Sequence, residues 1–105
     1  MHEVKEISDV KLDTSLSVIK FWADWCMPCK AFSPTVEKLD SEFENVTFYS
    51  VNIDLVPQLA QKYQIKSLPT LVFLKGADEV DRVLGMTKIT PLRSKLKELE
   101  NSVDI

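Results

Sequence analysis

The sequence predicts an α/β domain, an open sheet carrying helices on both faces, and three observations point to it. Segments of strand and helix character alternate in the order β-α-β-α-β-α-β-β-α, with no repeat, low-complexity tract or linker between them. Residues 16–23 are β-branched and aromatic on both alternating faces, which suits a central strand covered on each side. Two longer segments each carry one apolar stripe at helical spacing, so helices are at hand to do the covering.

Each element has its own signal. Residues 3–7 alternate and suit a short edge strand, and Asp9 is placed to cap a brief helix running to Thr14. After the central strand, Phe32, Val36, Leu39 and Phe43 make the stripe of a helix that begins at Pro28 and ends near Glu44 and Asn45. Pro34 falls inside it, removes one backbone hydrogen bond and should kink it. Residues 46–54 form a second strong strand. Pro57 suits an early helical position, with Leu59, Ala60 and Tyr63 as the inner face of a short helix. Residues 71–75 are a strand, Gly76, Ala77 and Asp78 a turn, and residues 79–84 the returning strand, ended by Gly85. Thr90 as N-cap and Pro91 at the first helical position open the last helix, whose stripe is Leu92, Leu96, Leu99 and Val103.

Composition narrows the function. A chain of 105 residues fits one domain, residues 1–105, with a single core. At 45% hydrophobic and 28% charged residues it is globular rather than disordered. Thirteen basic residues against sixteen acidic ones give a net charge of −3, and no basic cluster offers a footprint for nucleic acid. The N-terminus lacks an apolar signal region, and the longest apolar stretch, residues 71–74, is far short of the ~18 residues a membrane span needs. A cytoplasmic location without membrane attachment is therefore expected. In that compartment thiols stay reduced, so a close cysteine pair points to catalysis or metal binding rather than to a structural crosslink. A four-ligand zinc site within one chain is disfavoured, since two cysteines and one histidine supply only three soft ligands.

Both cysteines lie in Trp25-Cys26-Met27-Pro28-Cys29-Lys30, three positions apart. On a first helical turn that spacing brings side chains to ~5–6 Å, within reach of a disulfide. The pair can therefore be a dithiol or a disulfide. A cysteine at a helix N-terminus faces unpaired N–H groups and the positive end of the helix dipole, both of which favour thiolate over thiol. Cys26 is accordingly the expected nucleophile. Cys29 shares the inward side of Phe32 and Val36, while Cys26 precedes the helical body and is expected to face out, exposed.

The stretch Phe21-Trp22-Ala23-Asp24-Trp25-Cys26-Met27-Pro28-Cys29-Lys30 closely resembles the active-site segment of the thioredoxin family, whose C-x-x-C signature is well known. Further matches span nearly the whole chain. Pro34 resembles the family's kinking proline, Asn52-Ile53-Asp54 the end of its third strand, Leu68-Pro69-Thr70 its cis-proline segment, Gly76 its hairpin glycine and Gly85 the glycine beside its active site. The resemblance implies the thioredoxin fold, a central mixed β-sheet of four to five strands flanked by helices on both faces. It also implies a dithiol–disulfide oxidoreductase that reduces protein clients. Cys26 would attack a client disulfide and form a mixed disulfide, which Cys29 would resolve. Leu68 would pair its backbone with an extended client segment, and Trp25, Met27, Pro28, Pro69, Gly85 and Met86 would form an apolar contact surface around Cys26. No bound cofactor is implied. Electrons would come from a thioredoxin reductase-like flavoprotein drawing on NADPH, and the protein would act as a monomer.

Two residues depart from the family pattern. Met27 stands where the familiar members have glycine, adding flexible apolar bulk between the cysteines. Lys20 stands where they have a buried aspartate, and Ser50 replaces the lysine of the neighbouring strand. A cation near Cys29 should favour thiolate and make the pair more oxidising. The plainer alternative is a lysine that packs its stem and reaches water with its head. Competing functions are a disulfide oxidase or isomerase, and a non-catalytic accessory subunit that would not need its cysteines.

Overall fold

The computed structural model describes residues 1–13 and 15–101. Its strands and helices are β1 (His2–Glu3), β2 (Leu16–Trp22), α1 (Met27–Glu42), β3 (Thr47–Asn52), α2 (Pro57–Lys62), β4 (Thr70–Lys75), β5 (Asp78–Leu84) and α3 (Ile89–Asn101), with a 3-10 turn over Ile7–Asp9. The five strands form one mixed sheet in the order β1-β3-β2-β4-β5. β2 lies at its middle, parallel to β3 and antiparallel to β4, with Lys20 opposite Ser50 on one side and Leu71 on the other. β5 folds back on β4 with a register shift beside Phe73 and Leu74.

Alternation along the strands sorts the core into two layers. Val18, Phe48, Leu71 and Phe73 pack under Phe32, Val36 and Leu39 of α1 and Leu92 and Leu96 of α3. Ile19, Phe21, Val51, Val72 and Leu74 face the other way, against Val56, Leu59 and Tyr63 around α2. Helices therefore cover both faces, as the doubly apolar strand at residues 16–23 predicts.

Several local expectations are corrected. The first strand is only two residues long, and Asp9 does not open a helix. Its carboxylate instead accepts N–H groups from Lys5 and Glu6 at 2.9 and 3.2 Å and closes the 3-10 turn. The proposed end of that segment at Thr14, and Val103 of the last stripe, lie outside the described residues. α3 begins at Ile89, so Thr90 sits within the first turn rather than at its cap. Pro91 is still among the first four positions, whose N–H groups have no helical partner to lose. α2 ends in a Schellman-type turn: Gln64 has φ +51°, Ile65 N–H donates to Ala60 at 2.9 Å and Gln64 N–H to Gln61 at 3.1 Å. That turn delivers Ile65 and the following loop to the end of the sheet.

Candidate functional site

β2 ends at Trp22, and the chain reverses through Asp24 and Trp25 into α1. Cys26 is the N-cap of that helix, with extended backbone (φ −93°, ψ 100°), and Pro28 occupies its first turn. Its sulfur accepts the backbone N–H of Cys29 at 3.3 Å, the service that a serine or aspartate oxygen performs at an ordinary cap. In the reduced protein the same N–H and the helix dipole favour charge on that sulfur. Cys26 and Cys29 are joined as a disulfide, with Cα atoms 5.3 Å apart.

Cys29 is 1% exposed, as expected of the inward position. Cys26 is 6% exposed, which corrects the expectation of an outward-facing sulfur. The cap hydrogen bond and the bond to Cys29 turn its side chain back over the helix, and the neighbours take the solvent instead. Trp25 is 67% and Met27 70% exposed. The indole N–H of Trp25 donates to Asp54 Oδ2 at 3.0 Å. Asp54 is thus an anchor for Trp25 and not the cap of α2, which is Val56.

Cys26 lies in the wall of an open groove of about 600 Å³, lined also by Trp25, Met27, Pro28, Ile65 and Leu68. Pro69, Gly85 and Met86 are not part of that lining. The Leu68–Pro69 peptide is cis and Pro69 is buried. Gly85, with φ +80°, donates its N–H to the Pro69 carbonyl at 2.8 Å, while Met86 is exposed. Ile53 and Ile65 also border the groove: Ile53 just follows the end of β3, where the sequence suggests a strand running on to residue 54, and Ile65 lies in a loop with no periodic pattern to reveal it.

Lys20 is 5% exposed, its stem packed and its side chain bordering an open cavity with polar neighbours. Nζ donates to Ser33 Oγ at 2.9 Å, and Ser33 Oγ donates to the Cys29 carbonyl at 3.4 Å. Burial lowers the proton affinity of the amine below the ordinary lysine range, and the Glu37 carboxylate partly opposes this. The sequence reading missed Ser33, although its place one turn after Cys29 on the inner side of α1 put it within reach. Trp22 is partly buried, and its indole nitrogen is buried without a hydrogen-bond partner. Among the described residues no three His, Cys, Asp or Glu side chains are grouped to hold a metal ion, and no helix is long and apolar enough to cross a membrane.

A mixed sheet with a capped C-x-x-C at the end of its central parallel strand defines a protein of dithiol–disulfide exchange. The family model for thioredoxin matches residues 4–98. The chain is 36% identical over 105 residues to the thioredoxin of a Synechocystis species, covering 93% of this chain and 98% of that one. It is also 40% identical over 83 residues to the peptide-N(4)-(N-acetyl-beta-glucosaminyl)asparagine amidase of Caenorhabditis briggsae, of whose length it spans 14%. Among solved structures, Fasciola hepatica thioredoxin superposes with a TM-score of 0.84 at 34% identity, covering 93% of this chain and 98% of that one. The chain belongs to the thioredoxin family. It is a thiol–disulfide oxidoreductase of the protein-disulfide reductase type and, like thioredoxins generally, needs no bound cofactor.

Proposed function

We propose that this chain reduces disulfides in cytoplasmic client proteins as a monomer, with Cys26 as nucleophile and Cys29 as resolving thiol, and receives its electrons from an NADPH-dependent flavoprotein reductase. The observation that supports the assignment is the capped Cys26 sulfur in the groove wall above a fully enclosed Cys29. A client disulfide laid in the groove meets Cys26 first. The Cys26 thiolate attacks one client sulfur, expelling the other as a thiolate that takes up a proton. The Cys29 thiolate then attacks Cys26, restores the intramolecular disulfide and releases the reduced client. Trp25, Met27, Pro28 and Leu68 give the groove apolar walls with few polar anchors, a surface suited to many extended segments. Pro69, Gly85 and Met86 act at its margin, Pro69 and Gly85 through the hydrogen bond that joins them.

The test is turnover of insulin disulfides with dithiothreitol as donor. The wild type should accelerate it, Cys26→Ser should abolish it, and Cys29→Ser should accumulate a client mixed disulfide that survives on a non-reducing gel. Alkylation of the reduced protein at pH 7 should modify Cys26 before Cys29; the reverse order would overturn the assignment. A second reading, a module serving a larger enzyme, is favoured by the match to a short part of the amidase. It predicts that replacing both cysteines by serine leaves the accessory activity intact. A disulfide oxidase or isomerase would instead show itself by introducing or reshuffling disulfides in a reduced client in glutathione buffer.

A further inference from the structure

One turn along α1 from Cys29, a cavity of about 250 Å³ opens against the middle of the sheet, bordered by Lys20, Trp22, Ser33 and Glu37. A lysine in such a place is uncommon, because a primary amine gives up part of its hydration on entering a protein interior. The head is tethered rather than loose. Ser33 accepts its hydrogen bond and donates one from its own hydroxyl to the Cys29 carbonyl, while Nζ stands 5.7 Å from the centre of the Trp22 ring, a cation–π distance. The groups facing Lys20 are of mixed sign. α1 contributes Glu37 and Lys30, β1 contributes Glu3, and the amino terminus at the rim is engaged by Asp40 at 2.7 Å. In register, β3 offers only Ser50 and β4 only Leu71. No carboxylate therefore faces Lys20 from the flanking strands, and the tether leads toward the turn that carries Cys29.

We propose that Lys20 is a positioning residue for the resolving step, its ammonium pinned by Ser33 against the turn of α1 that carries Cys29 and holding that thiol toward its thiolate. This rests on the reading of Cys29 as the resolving cysteine. In the reduced protein Cys29 gives its proton to solvent and its charge is balanced by Lys20. The thiolate attacks Cys26 of the mixed disulfide, the Cys26–Cys29 bond forms, the Cys26–client bond breaks, and the departing client thiolate is protonated. The dithiol is oxidised, the client sulfur is reduced, and Lys20 ends as it began. Because the pairing exists only while Cys29 is a thiolate, it favours the dithiol over the disulfide and makes the couple more oxidising.

Lys20→Met keeps the apolar stem and removes the charge. In a Cys26→Ser background, where Cys29 alone titrates, ultraviolet thiolate absorbance should show the thiolate fraction at fixed pH falling about tenfold. In the two-cysteine protein, the glutathione exchange constant should move about tenfold toward the disulfide. Ser33→Ala keeps the charge and frees the head, and should give a shift of the same sign and smaller size. A Lys20→Met protein with native circular dichroism whose Cys29 titration and glutathione constant both stay within about twofold of the parent overturns the proposal. Should Lys20→Met not fold, an unmoved Cys29 titration in Ser33→Ala overturns it equally. The titration involves no client, so it stands apart from the assignment of the resolving role. That assignment fails separately if Cys29→Ser continues to turn over insulin.

Discussion

At the scale of single residues, Trp25 is both exposed and held, its indole N–H donating to Asp54 at 3.0 Å. An aromatic ring fixed in one orientation offers contact area without an ordering cost when a client arrives. Asp54→Ala removes the acceptor, and since both partners are exposed the fold should lose no more than about 1 kcal/mol. The client side should feel it more. KM for insulin reduction is expected to rise several-fold with kcat nearly unchanged, and steady-state kinetics at varied insulin concentration check this. A fall in kcat alone would mean that Trp25 acts on the chemistry and not on docking.

At the scale of elements, α3 is tied to the rest of the fold by charge as well as by its apolar stripe. Arg93 makes a two-pronged contact with Glu42 of α1, and Lys95 pairs with Asp81 of β5, while Glu79 and Arg82 pair within β5. Hydrogen bonds from these partners hold the carboxyls of Glu42, Glu79 and Asp81 below the usual carboxylate range. A carboxyl whose folded proton affinity is depressed contributes stability above its unfolded pKa and loses it as pH falls through the folded one. The urea midpoint should therefore be level from pH 6 to 8 and decline below about pH 4. Asp81→Asn should decline less steeply, and an equal decline in both would assign the acid sensitivity elsewhere. What was legible in the sequence at this scale follows a simple division. The helix stripes and the doubly apolar central strand were readable because core packing imposes a period, and the Cys26/Cys29 pair because its spacing is local. The two-residue β1, the Asp9 turn and the Trp25–Asp54 anchor were not, since short polar contacts leave no period. The inward turn of Cys26 was hidden for another reason: it depends on a sulfur filling the cap position.

For the whole molecule, the site stands at the carboxyl end of β2, where its neighbours change from the parallel β3 to the antiparallel β4. Open α/β sheets commonly place their working crevice at the carboxyl ends of their parallel strands. Two separate core layers hold β2 in place from above and below, so the site's precision depends on packing far from it. Phe73, fully buried mid-β4, packs with Val18, Phe32 and Leu92. Phe73→Ala should cost about 3–5 kcal/mol by equilibrium denaturation, a large part of the roughly 5–15 kcal/mol typical of a domain. A loss under about 1 kcal/mol would mean that the layer closes over the gap. The recess of the sulfurs reaches beyond the fold. A small thiol gains nothing from the crevice beyond the sulfur itself, whereas a ligand with backbone to lay along it is held as it arrives. The rate of exchange is then set by docking as well as by the chemistry of the bond, so partners that fit the crevice are served ahead of those that do not.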